Sequence, residues 1–369
     1  MALTEVDAAR LNDNVFNAVG PFTNRIINGD MRIDQRNAGA SASLTSSQTY
    51  FLDRWFAVED TDGTMTIQQS TTAPTGFQRS ALLTTGTADT SLGAAQYAYI
   101  AQKPEGFNVA DFDWGTANAK TVTLSFWVRS SLTGTFGGAV SNSAYNRSYP
   151  FTYTISAANT FEYKSITIPG DTTGTWVTDN GIGMQIFWGL GVGSTNSGTA
   201  GSWAASGYIS ATGATSVIGT ASATFYITGV QLEAGSVATP FERRSYGQEL
   251  ALCQRYYEKS YKQGEGAGTA SRGTVAAFVS SVASGYVYGN VRYTVTKRAT
   301  PTVTIYSYNG TVDRVSDGNG VNLAADALVI ASTTNFSSDT SFVYQNNSGG
   351  TISPGGNNIL FNYIASAEL

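Results

Sequence analysis

Three places along the chain set an aromatic ring beside a planar polar side chain. That is the constellation that holds a sugar, because the ring stacks on C–H faces while the polar group bonds the hydroxyls. They are Trp127 with Arg129; Tyr145, Asn146, Arg147 and Tyr149 in one short stretch; and Trp203 with Tyr208 in a glycine-rich stretch. The close acidic sets are Asp30 with Asp34, Asp60 with Asp62, and Asp111 with Asp113. Two carboxylates can hydrolyse a glycosidic bond without histidine, but surface turns use the same residues routinely. Histidine is absent altogether, which excludes Ser-His-Asp triads, His-based zinc sites and imidazole acid–base chemistry. Cys253 is the one cysteine, so no intrachain disulfide and no thiolate cage can form. It reads as a small apolar packing residue. The chemistry on offer is binding without turnover, and no catalytic residue, bound metal or cofactor is expected.

These residues need elements to place them. Trp127 and Arg129 fall in Thr121–Ser130, where Val122, Leu124, Phe126 and Val128 alternate with Thr123, Ser125, Trp127 and Arg129. Side chains alternate across a strand, so the first set faces a core. The second is either open to solvent or covered by a neighbouring loop or a partner subunit. Trp203 likewise has two readings, a ligand platform or a plug that packs its own loop. Trp55 and Trp188 alternate with apolar neighbours and read as core. Further strands are expected at Arg25–Asp34, Tyr50–Glu59, Phe161–Ile168, Gly183–Leu190 and Ala223–Glu233, enough to close a two-sheet sandwich. Gly189–Ser216 is expected to be a long ordered loop. Leu250, Cys253, Tyr257 and Tyr261 recur at helical spacing and predict a helix over Tyr246–Tyr261. A helix this short needs a partner, either the base of the sandwich or a bundle around a threefold axis. Beyond the break at Gly264–Gly268, strands at Thr274–Ser281, Gly285–Thr296 and Thr302–Val315 predict a second β-unit, with a hairpin turn at Asn309-Gly310.

Composition agrees with an all-β chain. Of 369 residues only 13% are charged, against 12% aromatic and 40 glycines, too few charges for long helices. The expected organisation is an attachment segment over 1–23, with Leu3, Val6 and Leu11 at helical spacing; a sandwich over 24–245; a connecting helix over 246–263; and a C-terminal β-domain over 264–369. No solenoid period is present. The net charge of −5, with no basic stripe, speaks against nucleic acid as a partner. No apolar run reaches membrane-spanning length, so no membrane insertion is expected. Met1–Asp7 carries acid where a secretory signal carries base, which predicts synthesis in a cytoplasm.

Several blocks together resemble bacteriophage tail-fibre and virion-fibre proteins with a carbohydrate-binding-module-like domain. They are Ile27-Asn28-Gly29-Asp30-Met31-Arg32-Ile33-Asp34-Gln35-Arg36, Leu52-Asp53-Arg54-Trp55, Thr123-Leu124-Ser125-Phe126-Trp127-Val128-Arg129, Thr228-Gly229-Val230-Gln231-Leu232-Glu233-Ala234-Gly235 through Thr239-Pro240-Phe241-Glu242, and Gln248-Glu249-Leu250-Ala251-Leu252-Cys253-Gln254-Arg255-Tyr256-Tyr257. The resemblance implies a jelly roll of the galactose-binding type, displayed on a virion in homotrimeric fibres and joined to other virion proteins through the N-terminal segment. The resemblance names no ligand; the aromatic–polar constellations make host-surface polysaccharide the expected partner, with Trp127, Arg129, Tyr145, Arg147, Trp203 and Tyr208 as the expected ligand contacts. Jelly rolls of this kind also carry a structural calcium, here beside Asn28-Gly29-Asp30 and Gln231-Leu232-Glu233. Only Asp30 and Glu233 bring carboxylates there, fewer than a hard cation asks for, and Asp30 also reads as a turn cap. Two rival functions stay open: a head-fibre or capsid-decoration protein with no ligand, and a polysaccharide depolymerase.

Overall fold

The computed structural model describes residues 22–271, 275–278, 288–317, 337–345 and 358–369. The expected N-terminal helix lies outside the described residues. The described chain forms two compact units, one running up to Arg32 and then over Gly39–Arg244, the other taking Ile33–Ala38 with the residues from Ser245 onward.

The first unit is a jelly-roll β-sandwich. Its strands are β1 (Ala42–Ser43), β2 (Thr49–Leu52), β3 (Trp55–Asp60), β4 (Met65–Ser70), β5 (Ser80–Thr85), β6 (Tyr97–Gln102), β7 (Val122–Ser130), β8 (Gly134–Ser141), β9 (Ser148–Ile155), β10 (Glu162–Ile168), β11 (Gln185–Val192), β12 (Ser197–Gly198), β13 (Ser210–Ala211) and β14 (Thr224–Ala234). One six-stranded sheet runs β1-β4-β5-β14-β7-β10, and the other runs β2-β3-β6-β11-β8-β9. Period-two alternation fills the space between them. Val122, Leu124, Phe126 and Val128 of β7 meet Trp55, Ile100, Ile186 and Trp188 of the facing sheet in one continuous core. Trp55 and Trp188 are fully buried, with ring centroids 5.6 Å apart. Each large apolar side chain so buried contributes about 1.5–3 kcal/mol.

Arg25–Asp34 is not the strand that its sequence suggests. Asn28 and Met31 take left-handed φ values of 57° and 59°, which break the pleat, yet Ile26, Ile27, Met31 and Ile33 are buried. The segment crosses β14 so closely that a Cβ on Gly29 would lie 2.2 Å from the Val230 carbonyl oxygen. Tyr50–Glu59 is two strands, turned at Arg54 with φ 69°. The glycine-rich stretch after Gly189 is laid onto the sheet of β11. A Cβ on Gly137 or Gly189 would meet the Ser210 hydroxyl at 2.5 or 2.6 Å, so glycine in β8 and β11 is what lets the stretch lie so low.

In the second unit the helix is shorter than predicted. Helix α1 (Tyr246–Gln254) starts with a capping box between Ser245 and Gln248 and stops before Tyr257, which belongs to β15 (Tyr257–Lys259). Helical spacing misled because the tyrosines serve a sheet. Tyr257 lies under the Arg36 guanidinium, 3.8 Å from its ring centroid, and Tyr261 packs on Tyr306. The long strand β21 (Asn358–Ser366) pairs with β15, β16 (Val275–Phe278), β18 (Thr302–Tyr306) and β19 (Ser316–Asp317), while β17 (Tyr288–Arg292) pairs with β20 (Ser341–Gln345). Phe342, Tyr344, Ile305, Phe361 and Tyr363 share its core. The Asn309-Gly310 hairpin turn forms, with Gly310 at φ 78° and its N–H donating to the Ser307 carbonyl. Elsewhere in the second unit a buried Lys297 ammonium meets Glu258 at 2.6 Å, and Glu258 also accepts from the Tyr363 hydroxyl at 2.8 Å.

Candidate functional site

Strand β7 carries Thr123, Ser125, Trp127 and Arg129 on its outer face, away from the core. The first two are covered, and the last two are half-buried. What divides them is a strap formed by the chain after β14. Glu233 fixes it by accepting the Thr239 N–H at 2.9 Å and hydroxyl at 2.6 Å. Gln231 accepts the Glu242 N–H at 2.7 Å, and the Thr123 hydroxyl donates to the Gly235 carbonyl at 2.8 Å. Every polar group used is local to the same face, so the strap is a rigid wall, and it ends beside Trp127.

The depression it bounds has a volume of about 560 Å³. Trp127 forms one side with its cross-strand partner Tyr163, ring centroids 5.5 Å apart. Tyr163 is 45% exposed, so its face is available to a ligand. Phe77, Phe241 and Arg243 form the other side. The two phenyl rings meet edge-on at 5.2 Å, and the Arg243 guanidinium lies 4.7 Å from the Phe77 centroid. Gly229 makes the floor. It sits with φ 60° in a bulge, where Gly229 and Val230 together oppose Phe126 of β7. A Cβ there would stand 2.7 Å from Phe77 and 3.0 Å from Trp127. The bulge has left-handed glycine in its first position, and the missing side chain leaves the space.

The six residues singled out in the sequence do not converge. Trp127 and Arg129 share the outer face of β7, where Arg129 lies over Tyr226 at 4.8 Å and Phe161 at 6.0 Å. The other four belong to the β8–β9 turn and the stretch laid beside it. Arg147 grips Asp171 through two bonds of 2.9 and 2.5 Å. Burial alone would raise the Asp171 carboxyl, and the bonds from Arg147, the Thr173 N–H and Trp176 overcome it, so its pKa lies below the usual value. Trp203 is a packing residue: its ring lies 5.3 Å from Trp114, 5.4 Å from Tyr149 and 5.6 Å from Trp176, and its N–H donates to the Pro169 carbonyl at 2.9 Å. Tyr208 lies on Gly198, where a Cβ would come within 2.3 Å of its ring. Tyr145 is exposed, but its hydroxyl donates to Gln185 at 2.7 Å. Burial pushes its hydroxyl pKa up.

Sequence reasoning missed Phe77, Tyr163, Phe241 and Arg243. Tyr163 was within reach, since it alternates with Ile166 and Ile168 on the expected strand. Phe77 lies in a loop with no pattern to mark it.

Two of the three acidic sets, Asp30 with Asp34 and Asp111 with Asp113, are already engaged. Asp111 meets Arg25 at 2.8 Å and Asp113 meets Lys120 at 3.6 Å, while Asp34 accepts the N–H groups of Arg36 and Asn37 as a turn cap. Asp30 pairs with Arg32 rather than capping a turn. The residues standing where jelly rolls of this kind commonly carry calcium do not fit a cation. A guanidinium faces Asp30, and both Glu233 oxygens accept from Gln231 and Thr239. Among the described residues no cluster of three or more metal-ligating side chains occurs, and no helix is long and apolar enough to cross a membrane.

No family model matches the chain, and no curated protein does. Among solved structures, the chain is similar to the enzymatically active domain of tailspike protein 4 of bacteriophage CBA120, at 16% identity over 59% of this chain, with TM-score 0.30. The match spans 22% of that chain's length. It is also similar to a putative sugar binding protein from Bacteroides thetaiotaomicron, at 12% identity over 57% of this chain and 100% of that one, with TM-score 0.34. A third likeness is to a family 11 carbohydrate-binding module from Clostridium thermocellum in complex with a mixed-linked tetrasaccharide, at 10% identity over 54% of this chain and 98% of that one, with TM-score 0.27.

Proposed function

We propose that this chain is a non-enzymatic virion protein, a bacteriophage fibre or spike subunit whose sandwich binds host-surface glycan in the depression at Trp127. One observation carries the reading. Trp127 and Tyr163 line one side of an open cavity and Arg243 lines the other, which brings together the stacking surface and planar donor that sugars require. The rigid strap supports it, because a preformed wall needs little ordering on binding. Against turnover stand the absence of histidine and the engagement of Asp30, Asp34, Asp111 and Asp113 by cations or backbone N–H groups.

Substituting Trp127→Ala in the full chain is expected to weaken adsorption to host cells roughly tenfold, the value of one aromatic contact. The melting curve should move far less than for a buried ring, since Trp127 is half-open and stacks, among the described residues, on Tyr163 alone. A destabilised variant whose folded fraction adsorbs normally would retire the site.

On this reading the chain works as a homotrimer held to the particle through segment 1–23, so that weak single sites gain avidity. The trimer rests on the resemblance, because Tyr257 and Tyr261 are consumed inside their own unit. Light scattering should give three times the 38.9 kDa chain mass; a clean monomer at micromolar concentration removes it.

A further inference from the structure

We infer that the depression at Trp127 selects an acidic saccharide, a sugar ring bearing a carboxylate, over its neutral counterpart. This rests on the glycan-binding reading and names the ligand class of that same site.

Four guanidinium groups of the sandwich find their anions within it. Arg25 holds Asp111, Arg147 holds Asp171, Arg32 holds Asp30, and Arg244 holds Glu242. Arg54 donates to the Lys103 carbonyl and Arg79 to the Gln78 carbonyl, and Arg243 and Arg129 differ from all of these. Neither has an ion pair among the described residues, and each lies on aromatic rings instead: Arg243 over Phe77 and Phe241, Arg129 over Tyr226 and Phe161. Stacking neutralises nothing and leaves the edge of the guanidinium, with its donors, unspent. The Arg129 Nε is buried and, like that of Arg25, has no acceptor among the described residues.

No carboxylate lines the depression. The three nearest in sequence to its lining residues are taken. Glu162, next to Tyr163, pairs with Lys164 and accepts the Ser156 and Ala157 N–H groups. Glu233 is spent on Gln231 and Thr239, and Glu242 accepts the Asn24 N–H at 2.6 Å and pairs with Arg244. A chain of net charge −5 therefore presents one face on which two guanidinium groups flank aromatic platforms with no acid to meet them. Arg129 stands two residues from Trp127 along the same face of β7, and Arg243 stands across the depression from it. A pyranose ring seated on Trp127 and Tyr163 would place an equatorial carboxylate within reach of the Arg243 edge, where a fork-to-fork pair can form.

The experiment titrates the full chain by calorimetry with oligogalacturonate, oligomannuronate and a sialyl-oligosaccharide, against neutral galacto- and manno-oligosaccharides of equal length. At least one acidic probe is expected to bind about tenfold or more tightly than every neutral one, with an affinity that falls as salt rises. Arg243→Gln should erase that preference while leaving the melting curve in place, and Arg129→Gln should reduce it. Trp127→Ala should weaken acidic and neutral probes alike. Equal binding of acidic and neutral probes, or a preference untouched by both arginine variants, overturns the inference and leaves the glycan-binding reading standing. Binding of no probe overturns both.

Discussion

Trp203→Ala is expected to damage the fold and spare the ligand site, the reverse of what an exposed tryptophan in a glycine-rich loop suggests. The indole touches Trp114, Trp176 and Tyr149 at 5.3–5.6 Å, and each such aromatic pair is worth about 0.5–1.5 kcal/mol beyond its area. Its N–H bond to Pro169 adds roughly 1 kcal/mol. The sum, about 3–5 kcal/mol, falls where whole-ring truncations in cores fall. For a unit of this size each kcal/mol moves the midpoint by about 2–4 °C, so the sandwich transition should drop by roughly 6–20 °C. Trp203→Phe keeps much of the ring and loses the N–H, so it should recover most of the loss. Differential scanning calorimetry on the full chain reads both variants, and cell adsorption measured well below the transition reads the site. An unchanged transition with lost adsorption would refute the packing assignment and return Trp203 to the ligand surface.

Two further outcomes follow from charges buried by the fold. The folded Asp171 pKa lies below its ordinary value, so its stabilisation is complete above about pH 4 and is lost as pH falls through the lower folded value; urea unfolding of Asp171→Asn should show a shallower acid slope than the parent, and an identical slope would contradict the Arg147 pairing. In the second unit Lys297→Met strands a Glu258 that is almost wholly buried, which should cost about 3–5 kcal/mol. Hydrogen exchange of β15 and β21 amides checks it, and protection unchanged within about 1 kcal/mol would show the pair to be energetically idle.

Strand alternation made the sandwich legible. The residues of β7 that face the core are those that the period-two pattern selects, and Trp55 and Trp188 are buried where apolar neighbours placed them. What the pattern could not convey was conformation that departs from it. Arg25–Asp34 has the hydrophobicity of a strand and the burial of one, yet Asn28 and Met31 in left-handed geometry make it a crossing segment. Tyr257 and Tyr261 keep helical spacing from Leu250 while serving a sheet, because a strand that follows closely on a helix can reproduce a four-residue interval by accident. Trp203 shows the same limit from the other side. Its neighbours Trp114 and Trp176 are distant in sequence, so no local signal distinguishes a plug from a platform.

The site itself lies where that regularity fails, and the reason is geometric. A sheet with both faces covered offers a ligand nothing, and one with a bare flat face offers area without shape. Along β7 the outer face passes from covered to open between Ser125 and Trp127, and at that same level β14 carries the bulge at Gly229 and Val230. The bulge keeps Val230 in the core while leaving Gly229 on the outer face with no side chain, so the floor drops between Phe77 and Trp127. Restoring a side chain there has to fail twice, since an alanine at φ 60° is strained by about 1–2 kcal/mol and its Cβ would collide with both rings. The strap beyond β14 then turns a lowered floor into a walled depression. Trp127 and Tyr163 supply the aromatic surface, but it is the glycine, which bears no binding chemistry of its own, and the hydrogen-bonded turn of the strap that give that surface a shape.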